Sequence, residues 1–197
     1  KLTKREIENY KKIKHPFLPK FYGTTDKNYL VIEYINGKTL NNIDKIQLTL
    51  NEKLTIIFEL MLIIEYFHNK NMIYRDLKPD NIIIDENKNA VLIDLDNLID
   101  TNFYNISDFT KDLSSKYSAP ETINNGEFSY KSDIYSLGMI IQFIMLQIGS
   151  VKQPAKYSAI YQIVKKCTDN NADNRPSIFE LIKDFFIKFK SDIHLES

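Results

Sequence analysis

The feature that most restricts the fold is a polar segment at residues 74–81, which reads Tyr-Arg-Asp-Leu-Lys-Pro-Asp-Asn. Its central proline disfavours regular secondary structure, so the segment is predicted to be a loop. Two short apolar runs follow, 82–84 and 90–93, separated by a polar turn in the pattern of a β-hairpin. Asp94 comes directly after the second run, thirteen positions beyond Asn81. Because a hairpin returns the chain to its starting point, the loop and Asp94 are predicted to lie together.

These polar residues have the chemistry of a phosphoryl-transfer site. Carboxylate and amide oxygens suit Mg²⁺, a hard ion that also keeps several waters, so Asn81 and Asp94 are the candidate metal ligands. Asp76 is placed to accept or orient the proton of an attacking hydroxyl. Lys78 can neutralise charge on a transferring phosphoryl group.

Five sequence elements occur in the order found in one enzyme family. Residues 74–81 resemble the catalytic loop of eukaryotic-type protein kinases, and Asp-Leu-Asp at 94–96 resembles their Asp-Phe-Gly element. Ala-Pro-Glu at 119–121, the start of a central helix at 133–138, and Arg175 then match later family elements. Any one motif is weakly specific, but five in order are not, so the chain is identified as a member of this family.

The resemblance implies an α+β, protein-kinase-like fold. Residues 1–35 would form a remnant small lobe with an αC-like helix, two strands and the hinge, and residues 36–197 the mostly helical large lobe. Apolar periodicity and turn residues predict the individual elements. The predicted helices are 2–13, 51–69 (with Asn51 as N-cap), 131–147, 157–167 and 176–188, and the predicted first strands are 21–25 and 29–35.

The resemblance also implies ATP and Mg²⁺ as cofactors. Adenine would lie against Ile32, as gatekeeper, against Ile83, and against the backbone of Glu33 and Ile35. The catalytic set carried over from the family is Asp76, Lys78, Asn81 and Asp94.

Several structural roles follow from the same resemblance. Glu121 would form an ion pair with Arg175, and Glu6 would be the glutamate of the αC helix. Asp133 would anchor a stack of four side chains, the regulatory spine. The members of that spine would be Tyr10, Phe21, Tyr74 and Leu95.

Two hydroxyl side chains carry regulatory and specificity expectations. Arg75 would read a phosphate on the activation segment, for which Thr110 is the best-placed acceptor. Ser114 sits where Ser/Thr kinases carry a hydroxyl near the catalytic loop, and the pair Lys78-Pro79 favours the same class.

The sequence departs from the family in two respects. Its five glycines form no Gly-x-Gly, and few residues precede the αC-like helix, so we expect a chain truncated before the phosphate-covering loop and the lysine that pairs with Glu6. Losing those contacts would weaken ATP positioning on the order of several kcal/mol. Asp96 stands where the family has a glycine that lets the backbone switch.

Three functions therefore stay open. The first is ATP-dependent phosphoryl transfer to Ser or Thr of proteins, and the second is a pseudokinase that binds a partner without turnover. The third is a small-molecule kinase of the aminoglycoside phosphotransferase type, which shares the Asp-x-x-x-x-Asn loop. Ala-Pro-Glu at 119–121 and Arg175 argue against the third.

The composition limits the classes of partner that this chain is expected to bind. Lys+Arg and Asp+Glu are both 26, so the net charge is +0 and no basic face for nucleic acid is expected. The apolar stretches 54–67 and 134–148 are shorter than the roughly 18 residues typical of a membrane span. Cys167 is the only cysteine, which excludes an intramolecular disulfide. We expect a cytoplasmic chain that engages a protein substrate or binding partner, and neither nucleic acid nor membrane.

Overall fold

The computed structural model describes residues 4–27, 29–103, 116–146 and 154–195. Within these ranges the chain forms six α-helices and seven short β-strands. In chain order they are α1 Lys4–Lys12, β1 Phe21–Thr24, β2 Leu30–Ile32, β3 Gly37–Thr39, α2 Leu50–Asn69, β4 Met72–Ile73, β5 Ile82–Asp85, β6 Ala90–Leu92, β7 Ile99–Asp100, α3 Pro120–Asn125, α4 Tyr130–Leu146, α5 Pro154–Cys167 and α6 Ile178–Phe189.

The N-terminal part consists of α1 and the antiparallel hairpin of β1 and β2. β2 ends at Ile32, so the prediction of a strand to residue 35 is wrong at its end. The reason is a third strand, β3, which pairs with β5 instead of continuing the hairpin. At Gly37, a Cβ would collide with the backbone carbonyl of Ile84, so glycine permits this close crossing.

The central helix, α2, is buried along most of its length. Its N-cap is Thr49 and not the predicted Asn51. The Thr49 hydroxyl accepts a hydrogen bond from the Glu52 amide, and the Glu52 carboxylate accepts one from the Thr49 amide at 2.6 Å. This reciprocal capping box satisfies two amides that a single cap at Asn51 would leave open.

Helices α4 and α6 pack against α2, and α5 packs against α4 and α6, so that the four helices form the main core. Gly138 on α4 allows α5 to approach closely, because a Cβ there would lie 2.6 Å from the Cβ of Cys167. Helix α6 begins two residues later than predicted. Pro176 precedes the N-cap Ser177, whose side chain forms a second capping box with Glu180.

The hairpin of β5 and β6 lies against this core and presents the catalytic-loop segment. Ile83 pairs with Val91, which confirms the predicted hairpin in its antiparallel register. No helix within the described ranges is both long and apolar enough to cross a membrane. The architecture is the mixed, mainly helical arrangement predicted from the sequence.

Candidate active site

Three of the predicted site residues form one hydrogen-bonded cluster on the loop between β4 and β5. The Lys78 ammonium donates to Oδ2 of Asp76 at 2.7 Å. The Asn81 amide donates to the Asp76 carbonyl at 2.9 Å and to its Oδ2 at 3.2 Å. A short 3₁₀ turn, Pro79–Asn81, produces this arrangement because it folds Asn81 back towards Asp76. The proline suits the first position of that turn.

Asp94 is held next to this cluster by the backbone. The Ile93 amide donates to the Asn81 carbonyl at 2.8 Å, and the Tyr74 hydroxyl donates to the Ile93 carbonyl at 2.7 Å. Tyr74 is fully buried, and burial followed by the charges of Asp94 and Asp76 raises the pKa of its hydroxyl. The charges of both carboxylates, Asp76 and Asp94, therefore influence the pKa of the same tyrosine hydroxyl.

The negative charge near Asp94 extends to helix α1. Burial, and then the charges of Asp94 and Asp96, raise the pKa of the Glu6 carboxyl to about 7. The αC-like glutamate thus faces the Asp94 segment, and its role towards a phosphate-binding lysine stays a prediction.

The donor set fits Mg²⁺ shared with a nucleotide better than an all-protein metal cage. Among the residues that the structure describes, no three His, Cys, Asp or Glu side chains converge as a metal site. Mg²⁺ is usually held by one or two carboxylates together with substrate phosphates and waters. Asp94 with the amide oxygen of Asn81 offers that smaller set.

Two asparagines that the sequence reasoning missed complete the surroundings. The buried Asn97 donates to Oδ2 of Asp76 at 3.2 Å. The buried Asn9, on α1, donates to the carbonyls of Leu95 at 2.7 Å and Leu98 at 2.9 Å. No local signal marks either residue, because each follows an acidic residue and precedes a hydrophobic one: Asn9 lies between Glu8 and Tyr10, and Asn97 between Asp96 and Leu98.

The predicted adenine-contacting residues lie on β2, just after it, and on β5. Ile32 ends β2, and Glu33 follows it with its amide donating to the Lys20 carbonyl at 2.8 Å. Ile35 and Ile83 are both half-buried. Their contact with adenine stays a prediction.

The predicted Glu121–Arg175 ion pair is present and bidentate. The two guanidinium nitrogens donate to the carboxylate at 2.6 and 2.8 Å, and Arg175 is fully buried. Burial is the largest single influence and raises the pKa of Glu121, but the hydrogen bonds and charge of Arg175, together with a backbone hydrogen bond, outweigh it and leave that pKa below its ordinary value. The pair joins α3 to the segment before α6.

Asp133 connects helix α4 to the catalytic loop. Its carboxylate accepts hydrogen bonds from the amides of Tyr74 at 2.8 Å and Arg75 at 2.9 Å, and contacts His68 at 3.1 Å. Tyr10, Tyr74 and Leu95 of the predicted spine are buried in the common core, and Phe21 packs against it. These contacts suit the predicted anchoring role.

Of the three residues with a predicted regulatory or specificity role, Arg75 lies within the described ranges. Arg75 is buried, and its guanidinium lies over the ring of Phe128 at 4.1 Å. Thr110 and Ser114 lie outside the described residues, so phosphate reading by Arg75 stays a prediction.

Comparison with known proteins identifies the class to which this fold and site belong. The family profile described as the protein kinase domain matches residues 1–186. The chain belongs to the protein kinase family.

Individual relatives agree with this assignment. The chain is 33% identical over 152 residues to the SNF1-like protein kinase ssp2 of Schizosaccharomyces pombe, covering 73% of this chain and 26% of that protein. It is 33% identical over 150 residues to CBL-interacting protein kinase 2 of Oryza sativa, covering 73% and 34%. It is 30% identical over 186 residues to serine/threonine-protein kinase 33 of Bos taurus, covering 84% and 37%. The matched region is thus well under half the length of each of these relatives.

Proposed function

We propose that this chain transfers the γ-phosphoryl group of ATP to a Ser or Thr hydroxyl of a protein substrate. The observation that carries the proposal is the cluster of Asp76, Lys78 and Asn81, joined to Asp94 through the Ile93 amide. These side chains supply a proton acceptor, a cation and oxygen ligands within one small region.

Each residue has a distinct part in the proposed reaction. The substrate oxygen forms a bond to the γ-phosphorus, the bond from that phosphorus to the ADP oxygen breaks, and the hydroxyl proton passes to the Asp76 carboxylate. The Lys78 ammonium lies 2.7 Å from Asp76 and offsets charge on the moving phosphoryl group. Asn81 and Asp94 would hold Mg²⁺, which neutralises the phosphate oxygens when bound.

A Ser/Thr protein substrate is supported by the relatives. The protein of Bos taurus is named a serine/threonine-protein kinase, and the Lys78-Pro79 pair of this chain favours the same class. The match to the protein kinase domain and the bidentate Glu121–Arg175 pair argue against the small-molecule kinase alternative.

A second candidate is a pseudokinase module that binds a partner without turnover. One observation favours it: Asp96 occupies the position of the family's switching glycine. Asp96 also adds negative charge beside Asp94 and Glu6, which disfavours a polyphosphate unless cations accompany it.

Three isosteric variants separate binding from transfer. Asp94→Asn should remove the thermal stabilisation by Mg-ATP, because it removes the charged metal ligand. Asp76→Asn should keep that stabilisation and lower phosphoryl transfer by about 10²–10⁴-fold, the usual contribution of a general base. The matched control is Asp80→Asn, since Asp80 is exposed on the same loop and accepts from Asn41 instead; it should behave like the unsubstituted chain.

The outcomes distinguish the two candidates. Absence of any Mg-ATP stabilisation of the unsubstituted chain at millimolar nucleotide would refute the transferase proposal for this chain. Mg-ATP binding without transfer to a Ser/Thr peptide library would favour the binding module.

A further inference from the structure

Asn97 contacts the proposed proton acceptor from a separate segment of the chain. Its side-chain amide donates to Oδ2 of Asp76 at 3.2 Å, although the two residues are 21 positions apart. Asn97 is buried, with a residue exposure of 9%. A buried amide is costly unless it is hydrogen-bonded, so this contact determines where the side chain can point.

Lys78, Asn81 and Asn97 together make the hydrogen bonding of the Asp76 carboxylate asymmetric, because only one of its two oxygens accepts their hydrogen bonds. The Lys78 ammonium and the amides of Asn81 and Asn97 all donate to the same oxygen, Oδ2. Three donors from different directions restrict rotation of the carboxylate about its Cβ–Cγ bond. Within the part of the chain that the structure describes, Oδ1 of Asp76 forms no hydrogen bond, so it is the oxygen left for a substrate hydroxyl.

The direction of Asn97 is itself set by helix α1. Asn97 lies in the turn between Leu95 and Leu98, which is closed by the Leu98 amide donating to the Leu95 carbonyl at 3.3 Å. Asn9 donates to the carbonyls of Leu95 and Leu98, at 2.7 and 2.9 Å. Leu95 and Leu98 are fully buried, so the turn is held by packing as well as by hydrogen bonds.

We propose that Asn97 is a positioning residue for phosphoryl transfer, which holds the Asp76 carboxylate so that Oδ1 faces the substrate hydroxyl. This inference rests on the proposed function. Because Asn9 on helix α1 holds the turn that contains Asn97, the orientation of Asp76 also depends on the position of α1.

The kinetic test compares Asn97→Leu with Asn102→Leu. Leucine keeps the branched shape of asparagine without a donor, and Asn102 is an exposed asparagine of the same segment that donates to Asp100 at 3.0 Å. Asn97→Leu should lower kcat by roughly 10–100-fold, the range expected for a misplaced reactive group. The KM for ATP should stay within about twofold, since Asn97 is given no nucleotide contact, and Asn102→Leu should match the unsubstituted chain.

A second variant and a spectroscopic measurement keep the test decisive. If Asn97→Leu fails to fold, the isosteric Asn97→Asp carries the test, because at neutral pH it removes the donor and places a like charge against Oδ2; kcat should fall at least as far. In ¹H–¹⁵N spectra, the side-chain amide signals of Asn97 should shift in Asp76→Asn, whereas those of Asn102 should not.

The possible results separate this inference from the proposed function. An unchanged kcat in a folded Asn97 variant of an active chain would overturn the inference and leave the function standing. Unmoved Asn97 amide signals in Asp76→Asn would overturn it without any reference to activity. Absence of transfer by the unsubstituted chain would overturn the proposed function, and the positioning role with it, while the amide signals would still report the contact.

Discussion

The ion pair between Glu121 and Arg175 allows a quantitative test of how the large helical part is held together. Arg175 is fully buried, and besides the two bonds to Glu121 it donates to the carbonyls of Lys131 at 2.9 Å and Asp169 at 2.8 Å. Glu121 is 18% exposed. The guanidinium is the more buried partner. Removing the carboxylate therefore leaves a charge that is shielded from water and costly to bury.

The expected effect follows from this asymmetry. Removing one partner of a buried pair usually costs about 3–5 kcal/mol. The two carbonyls and partial water access place Glu121→Ala at the lower end, about 3 kcal/mol, or a decrease in Tm of roughly 6–12 °C for a chain of this size. Glu121→Gln keeps one oxygen acceptor and should cost about 1.5 kcal/mol, the contribution of one hydrogen bond to a charged group.

Urea unfolding at neutral pH measures both variants, and an unchanged m-value shows that the extent of unfolding is the same. The matched control is Glu8→Gln, because Glu8 pairs with Lys11 on the exposed surface of α1. That control should leave the free energy of unfolding unchanged within error. Losses below about 1 kcal/mol for both Glu121 variants, the range of exposed pairs, would refute the reasoning.

Three further outcomes are expected from urea or thermal unfolding. Gly138→Ala should destabilise by about 1–3 kcal/mol, because the new methyl group would collide with the Cβ of Cys167 between α4 and α5. Thr49→Ala should cost about 1 kcal/mol by removing the capping box with Glu52, and Thr49→Ser should restore most of it. Since the folded state lowers the pKa of Glu121 below 4.5, its contribution is present above pH 4.5 and is lost as the pH falls through the folded pKa. The difference in unfolding free energy between the unsubstituted chain and Glu121→Gln should therefore shrink in acid, and a difference independent of pH would contradict this assignment.

The long helices could be predicted from the sequence because their signal is local. Apolar residues recur along α2, α4 and α6 over several turns, so their existence is clear and only their ends are misplaced. The ends depend on caps. At α2 a capping box at Thr49 prevails over the nearer Asn51, and at α6 Ser177 prevails over Pro176.

Strands β3, β4 and β7 were not predicted, for the opposite reason. Each has only two or three residues, too few to show alternation. Their partners are distant in the sequence: β3 pairs with β5, and β4 pairs with β7. Such strands exist because tertiary packing brings the backbones together, which local sequence does not encode.

The candidate site likewise combines local contacts, which the sequence predicts, with long-range contacts, which it does not. Asp76, Lys78 and Asn81 belong to one loop, so their proximity follows from sequence spacing and the turn at Pro79. The contacts of Asn9 and Asn97 join residues up to 89 positions apart and depend on the path of the chain after β6. Each asparagine follows an acidic residue in the sequence, so the local sequence marks neither its burial nor its acceptor.

Backbone conformation adds a separate argument for chemistry at this site. Arg75 and Asp94 both adopt left-handed conformations, with φ of 73° and 64°. This is uncommon for a residue with a Cβ, and for a long side chain such as arginine it costs of order 1 kcal/mol or more. The surrounding structure holds both residues in place, since Asp133 accepts the Arg75 amide and the Ile93 amide bonds the catalytic loop just before Asp94. Strain of this kind persists where geometry at a functional site requires it. Asn71 and Lys88 also have positive φ away from this cluster, so the strain at Arg75 and Asp94 supports the proposed transfer only together with the hydrogen-bonded cluster of Asp76, Lys78 and Asn81.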